Sequence, residues 1–229
     1  MALRLVSAGA AQALVRTIAA RDGIDVEGDF GAVGAMLERF RTGAPCDVVI
    51  LTRAQVAELV AQGQALAGTA DLGAVPTAIA VRDPDPSPDV SGEAPLRAAI
   101  LAADAIHFPD PQKATAGIHF AKVLELLGIR GEVGTRIRNH PNGATAMRAM
   151  AEGGGHPIGC TQATEILATP GVRLVGPLPR GFELETVYTA AVSAAARDPI
   201  AARAFVTSLG DARSRDLRAR AGFVLSSAQ

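Results

Sequence analysis

Strand-like and helix-like periodicities alternate from the first residues onward, and this alternation constrains the chain more than any other feature. "LRLVSA" (3–8) reads as a buried strand, after which Leu14, Val15 and Ile18 recur at helical spacing. "DVEGDF" (25–30) alternates with period two, and Val33, Met36, Leu37 and Phe40 then fall on one helical face. "CDVVIL" (46–51) has the unbroken apolar character of a parallel strand covered on both faces, and 53–61, closed by Gly63, supplies its helix. Three βα units in succession predict an α/β fold with a mostly parallel sheet. With 229 residues, 48% of them apolar, the chain has material for one large domain or two lobes of roughly 100–120 residues.

The pattern changes at "LGAVPTAIAVR" (72–82), a long strand-like run that ends in "DPDPSPDVSGE", the most proline-rich segment. It reads as a crossover into a second lobe. Helices at 96–103, 115–127 and 143–151 follow, with strands at 105–108, 133–139, 157–161 and 172–179. A second long run, "LETVYTAAVS" (184–193), precedes terminal helices near 197–209 and 211–221 and reads as a return to the first lobe. The expected organisation is residues 1–79 with 189–229 as one lobe and 80–188 as the other. Two such lobes make a clamshell whose strand-to-helix loops face a cleft, the usual place for a small ligand in open α/β sheets.

Composition removes several function classes. The formal net charge is −1 and the Lys and Arg residues are dispersed, so no basic stripe exists for nucleic acid. There is no Trp, one Tyr (Tyr188), and only 3% aromatic residues, which removes stacking platforms for sugars or bases. Cys46 and Cys160 lie outside any C-x-x-C pattern, and the histidines at 107, 119, 140 and 156 have no metal-ligand spacing. No metal and no cofactor is expected. The N-terminal run lacks a charged n-region, and the longest later apolar run, 187–196, is well short of the roughly 20 residues a membrane helix needs. Membrane insertion is therefore not expected. The sequence as it stands reads as cytoplasmic, or as periplasmic if an export signal preceded it.

Three stretches, "FGAVGAMLERFRTGAPCDVVILT" (30–52), "DPQKATAGIHFAKVLELLGI" (110–129) and "GVRLVGPLP" (171–179), resemble the molybdate-binding type of periplasmic substrate-binding protein, and in particular its signal-less branch of aconitate-isomerase-like members. The likeness runs from about residue 2 to residue 223. It implies a two-lobed Venus-flytrap fold, two crossing strands as hinge, a small anion as ligand, and an ABC permease as partner if the protein is exported. In molybdate binders of this type two serine hydroxyls hold the oxyanion, and the matching positions here are Gly9 and Val33. A missing donor to a buried oxyanion costs about 1–3 kcal/mol. The expected ligand is therefore an organic carboxylate rather than molybdate. The alternative is an intracellular isomerase of an unsaturated tricarboxylic acid.

Candidate ligand-binding residues follow from the turns. Ser7, Gly9 and Ala10 end the first strand and open a helix without a side-chain cap, so a ligand carboxylate can take the cap position. Val33 and Gly34 open the second helix in the same way. Thr52 is a helix cap, and Arg53 beside it can reach a carboxylate bidentately. In "FPDPQKATAGIHF" (108–120) the prolines shape a loop, Thr115 starts a helix, and Gly117 leaves room for approach to the backbone. His119 and Lys113 are the candidate bases should the chain do chemistry. Thr161 and Gln162 close a strand and bring hydroxyl and amide donors, while "NHPNG" (139–143) is a turn whatever the function.

Overall fold

The computed structural model describes residues 1–225. In chain order the elements are β1 (Leu3–Ala8), α1 (Gln12–Asp22), β2 (Val26–Gly31), α2 (Val33–Arg41), β3 (Val48–Thr52), α3 (Arg53–Ala61) and β4 (Ala70–Arg82). Then come α4 (Glu93–Ala102), β5 (Ile106–Pro109), α5 (Thr115–Leu126), α6 (Arg130–Val133), β6 (Ile137–His140), α7 (Gly143–Glu152), β7 (Ile158–Gln162), α8 (Ala163–Leu167) and β8 (Val172–Pro177). The chain closes with β9 (Glu185–Val192), α9 (Pro199–Gly210) and α10 (Arg215–Arg220). It divides into two compact units, Met1–Val75 together with the chain from Thr186, and Pro76–Glu185. The boundaries fall inside β4 and at the start of β9.

In the first unit β1 is central, parallel to β2 on one side and to β3 on the other, and β3 pairs antiparallel with β9. Val6, Val48, Val49, Ile50 and Leu51 are wholly buried, as continuous apolar runs require when helices cover both faces of a sheet. Asp47, just ahead of β3, is buried as well. Its carboxylate accepts from the Arg4 backbone N–H (2.9 Å), Arg4 Nε (3.0 Å) and Nη2 (2.8 Å), the Arg197 N–H (2.9 Å) and Arg197 Nη2 (3.1 Å). These bonds, led by that of the Arg4 side chain, hold the carboxyl far below the usual carboxylate range.

In the second unit β5 lies between β6 and β7 in parallel, β7 runs antiparallel to β4, and β8 also pairs with β4. Phe108, Phe120, Val123, Leu124, Ile106 and Cys160 form its core, with Phe108 and Phe120 edge to face at 5.3 Å.

One expected strand is shorter than its pattern. In the stretch 133–139 the chain completes α6 and a 3₁₀ turn, Gly134–Arg136, before β6 begins at Ile137. Val133 is fully buried in that helix, so its apolar character serves helix packing and not a strand.

Candidate functional site

In the first unit, two turns at the carboxyl ends of parallel strands have open helix starts. After β1, the residues Gly9–Ala11 form a 3₁₀ turn leading into α1 with no side-chain cap. After β2, Ala32 precedes α2, again with no side-chain acceptor. Small residues at Gly9, Ala10 and Gly34 leave the backbone N–H groups approachable, and the dipole end favours an anion there. Val33 is buried. Ser7 is buried too, and its hydroxyl donates to the Ala8 carbonyl at 3.0 Å, so that donor is used locally.

The third turn of this unit is different. Thr52 caps α3 through a capping box with Gln55. Arg53, 58% exposed, has Nη2 2.6 Å from Asp71 Oδ2, and Asp71 Oδ1 accepts from the Thr189 hydroxyl. The guanidinium therefore has an internal carboxylate in place of a ligand's.

In the second unit, α5 begins after Ala114 without a side-chain cap, with Thr115 as its first residue. The loop ahead of it is organised by Asp110, whose Oδ1 accepts from the N–H groups of Gln112 (2.7 Å) and Lys113 (3.1 Å). Gly117 corrects an expectation. A Cβ there would lie 2.3 Å from the carbonyl oxygens of both Pro109 and Asp110, so the space beside it is filled by the loop's own backbone rather than left for a ligand. Gly117→Ala is expected to cost about 2 kcal/mol of stability, the scale of an overpacked contact, as read by urea unfolding. His119 is half-buried with Nε2 2.7 Å from the Phe182 carbonyl. That geometry puts the ring proton on Nε2, where it donates to the carbonyl. Lys113 is exposed in the same loop.

The turn from β7 into α8 concentrates polar side chains inside the protein. Thr161 is buried and its hydroxyl donates to Glu165 Oε2 at 2.6 Å. Gln162 is 3% exposed, and neither its Oε1 nor its Nε2 has a partner among the described residues. Thr77, which faces Gln162 in the β4–β7 register, and Thr164, two residues further on, carry buried hydroxyls in the same condition. A buried amide left unpaired is costly, so such atoms mark a place where something else completes the bonding.

Glu165 is absent from the sequence-based candidates. Burial pushes its carboxyl above the usual range, opposed by the Thr161 hydroxyl and the backbone N–H groups of Ala144, Gln162 and Gly143. Together with Asn142, whose Oδ1 accepts from Thr145 N at 2.9 Å, it fills the start of α7 with the protein's own acceptors. The signal in the sequence is an acid in the first turn of "ATEIL", which periodicity alone does not single out.

Two further groups carry titratable side chains. His107 Nδ1 and His140 Nε2 are 3.2 Å apart with ring planes 10° from parallel. Burial, with His140 and Arg138 nearby, pushes His107 down to about 4, and burial lowers His140 too, so both rings are neutral at pH 7 and share one N–H···N bond. Both cysteines are buried free thiols, with Cys46 pushed up to about 12 by burial, so neither is a nucleophile. Among the described residues, no group of three or more His, Cys, Asp or Glu residues is placed to hold a metal ion, and no helix is long and apolar enough to cross a membrane. The second unit also holds a cavity of about 640 Å³ along β8, bounded by Val90, Leu178 and Leu184. Thr77 is part of its wall, but none of the turn residues expected from the sequence is.

Comparison with known proteins places these turns in context. Residues 3–224 match the family described as bacterial extracellular solute-binding protein. An aconitate isomerase from Pseudomonas sp. is 29% identical over 177 residues, which cover 75% of this chain and 64% of that protein, so the chain spans less than two thirds of that relative. The periplasmic molybdate-binding protein of Azotobacter vinelandii superposes with a TM-score of 0.76 at 20% identity, covering 98% of this chain and 100% of that one. The sulfate-binding protein SubI of Mycobacterium tuberculosis superposes at 0.73 with 19% identity, covering 100% and 88%. At these identities the likeness establishes the fold, the α/β architecture of periplasmic binding proteins.

Proposed function

This chain belongs to the bacterial extracellular solute-binding proteins, and from that premise we propose that it binds a small carboxylate-bearing anion at the open strand-to-helix turns of its units. The observation that carries the proposal is the contrast among helix starts. Among the helices that follow parallel strands, those after β1, β2 and β5 have no side-chain acceptor, whereas α3 and α7 are capped by Thr52 and Asn142 and at the start of α8 the Glu165 carboxylate accepts from the Gln162 N–H. An uncapped start presents backbone N–H groups and a positive dipole end to an anion. Two structural neighbours are named for binding molybdate and sulfate, and the relative from Pseudomonas sp. is named for a tricarboxylic acid, so each name involves an anion. Carboxylate is favoured over a metal oxyanion because Gly9 and Val33 bring no hydroxyl and that of Ser7 is engaged with Ala8. Work outside the cytoplasm and delivery to an ABC permease go with this reading through the family.

The relative named aconitate isomerase favours a second reading, proton transfer on an unsaturated tricarboxylate. His119 is the candidate base for it: Nε2 donates its proton to the Phe182 carbonyl, which leaves the lone pair on Nδ1.

A thermal-shift panel of molybdate, tungstate, sulfate, citrate, and cis- and trans-aconitate tests both. At a hundred times Kd a ligand adds about 2.7 kcal/mol, which raises the melting temperature of a chain this size by roughly 5–10 °C. The expected responders are the carboxylates. Stabilisation by molybdate alone overturns the first reading, and conversion of trans- to cis-aconitate by the purified chain, followed by NMR, establishes the second.

A further inference from the structure

We infer that the ligand of this protein carries a hydroxyl group beside its carboxylate, a hydroxycarboxylate, and that Gln162 with Thr77 and Thr164 reads that hydroxyl; this rests on the carboxylate-binding reading above. The starting point is the pairing of β4 with β7, which is antiparallel with Thr77 directly opposite Gln162. Side chains directly opposite in such a pair project from the same face, with Cβ atoms roughly 4.5–5.5 Å apart. Thr77 and Gln162 therefore stand side by side, on the face that carries Ile79, two residues after Thr77, and Cys160, two residues before Gln162. Thr161, one position away, points to the opposite face, where it meets Glu165.

The chemistry follows from what is unpaired. Gln162 is 3% exposed and lacks a partner at both ends of its amide, while the Thr77 and Thr164 hydroxyls, 1% and 2% exposed by residue, also lack partners. Nε2 donates only and suits a carboxylate oxygen, but Oε1 accepts only and needs an O–H or N–H from its visitor. Molybdate, sulfate and aconitate are pure acceptors at neutral pH and leave Oε1 unpaired. A ligand hydroxyl donates to Oε1 and accepts from a threonine at the same time. An ammonium group also donates, but a buried cation needs an anionic partner, and Glu165, whose carboxyl lies within this turn, already receives Thr161 and three backbone N–H groups.

The decisive experiment compares ligands that differ by that hydroxyl alone, using isothermal titration of the whole chain. Citrate is set against tricarballylate, and malate against succinate. The expected result is that within at least one pair the hydroxylated member binds about 10- to 100-fold more tightly, the effect of one buried acceptor left unpaired. Gln162→Met, which keeps the length and removes both polar atoms, should bring that ratio close to one. Equal affinity within every pair that binds overturns the inference and leaves the carboxylate reading intact. Aspartate binding more tightly than malate overturns the hydroxyl assignment in favour of an amine. Failure of all the carboxylates to bind removes the reading itself and the inference with it. The wild-type ratios need no variant, so the test survives if Gln162→Met fails to fold, and Thr164→Val then provides the second substitution, with a smaller drop in the ratio expected.

Discussion

Asp47→Ala is expected to lower the stability of the protein by about 3–4 kcal/mol at pH 7, the range for removing one partner of a buried ion pair, with a melting temperature reduced by roughly 10 °C. The size comes from the number of groups left behind. Five donors from Arg4 and Arg197 converge on this 1% exposed carboxylate, two of them backbone N–H groups that cannot turn to water as the arginine side chains can. The effect depends on pH with a definite sign. The folded carboxyl titrates below its unfolded range, so its contribution is fully present above about pH 4 and is lost as the pH falls through the folded value. Urea titrations of wild type and variant should differ most at neutral pH and converge in acid. A constant gap from pH 7 to pH 2 would show that the lost contribution is packing and not charge.

Gly143→Ala should be as damaging, at about 3–5 kcal/mol, the upper end for single substitutions, although the change adds only a methyl group. That methyl would lie 1.9 Å from Glu165 Oε2 and 2.0 Å from Thr161 Oγ1. Either the start of α7 moves or the carboxylate leaves, and if it leaves it strands the Thr161 hydroxyl and three backbone N–H groups inside the protein. A double-mutant cycle separates this from a general intolerance of alanine. Glu165→Ala alone should also destabilise, but with Glu165→Ala in place the added cost of Gly143→Ala should shrink by at least about 1 kcal/mol, since residues in contact couple on that scale. Additive costs would mean that the glycine is required for some other reason.

Much of the architecture was legible in the sequence because its physical causes are local. The strand-like stretches at 3–8 and 46–51 became β1 and β3, and Thr52 became the cap its position announced. The segment 133–139 misled because buried residues in a short helix and in a strand carry the same apolar signature when fewer than two turns are available to show a period. The candidate residues divide along the same line. Helix starts at Gly9, Gly34 and Thr115 are readable as turns, but whether a polar side chain is engaged depends on partners distant in sequence. Arg53 is bound to Asp71 and His119 to Phe182, pairings no spacing rule contains. Conversely, the unpartnered state of Gln162 and Thr77 exists only through the register of two strands that lie far apart along the chain.

The chain order of the units has a consequence for biosynthesis. Pro76–Glu185 is one continuous run, whereas the first unit is split, with β9 and the helices after it supplied from Thr186 onward. During synthesis the continuous unit can complete its own sheet as soon as it has emerged. The first unit meanwhile waits with β1, β2 and β3 made and with β3 lacking its antiparallel neighbour. An unpaired apolar strand edge invites pairing with another chain. Until β9 is delivered, the edge of Val48–Thr52 is the stretch of the nascent protein most in need of a chaperone.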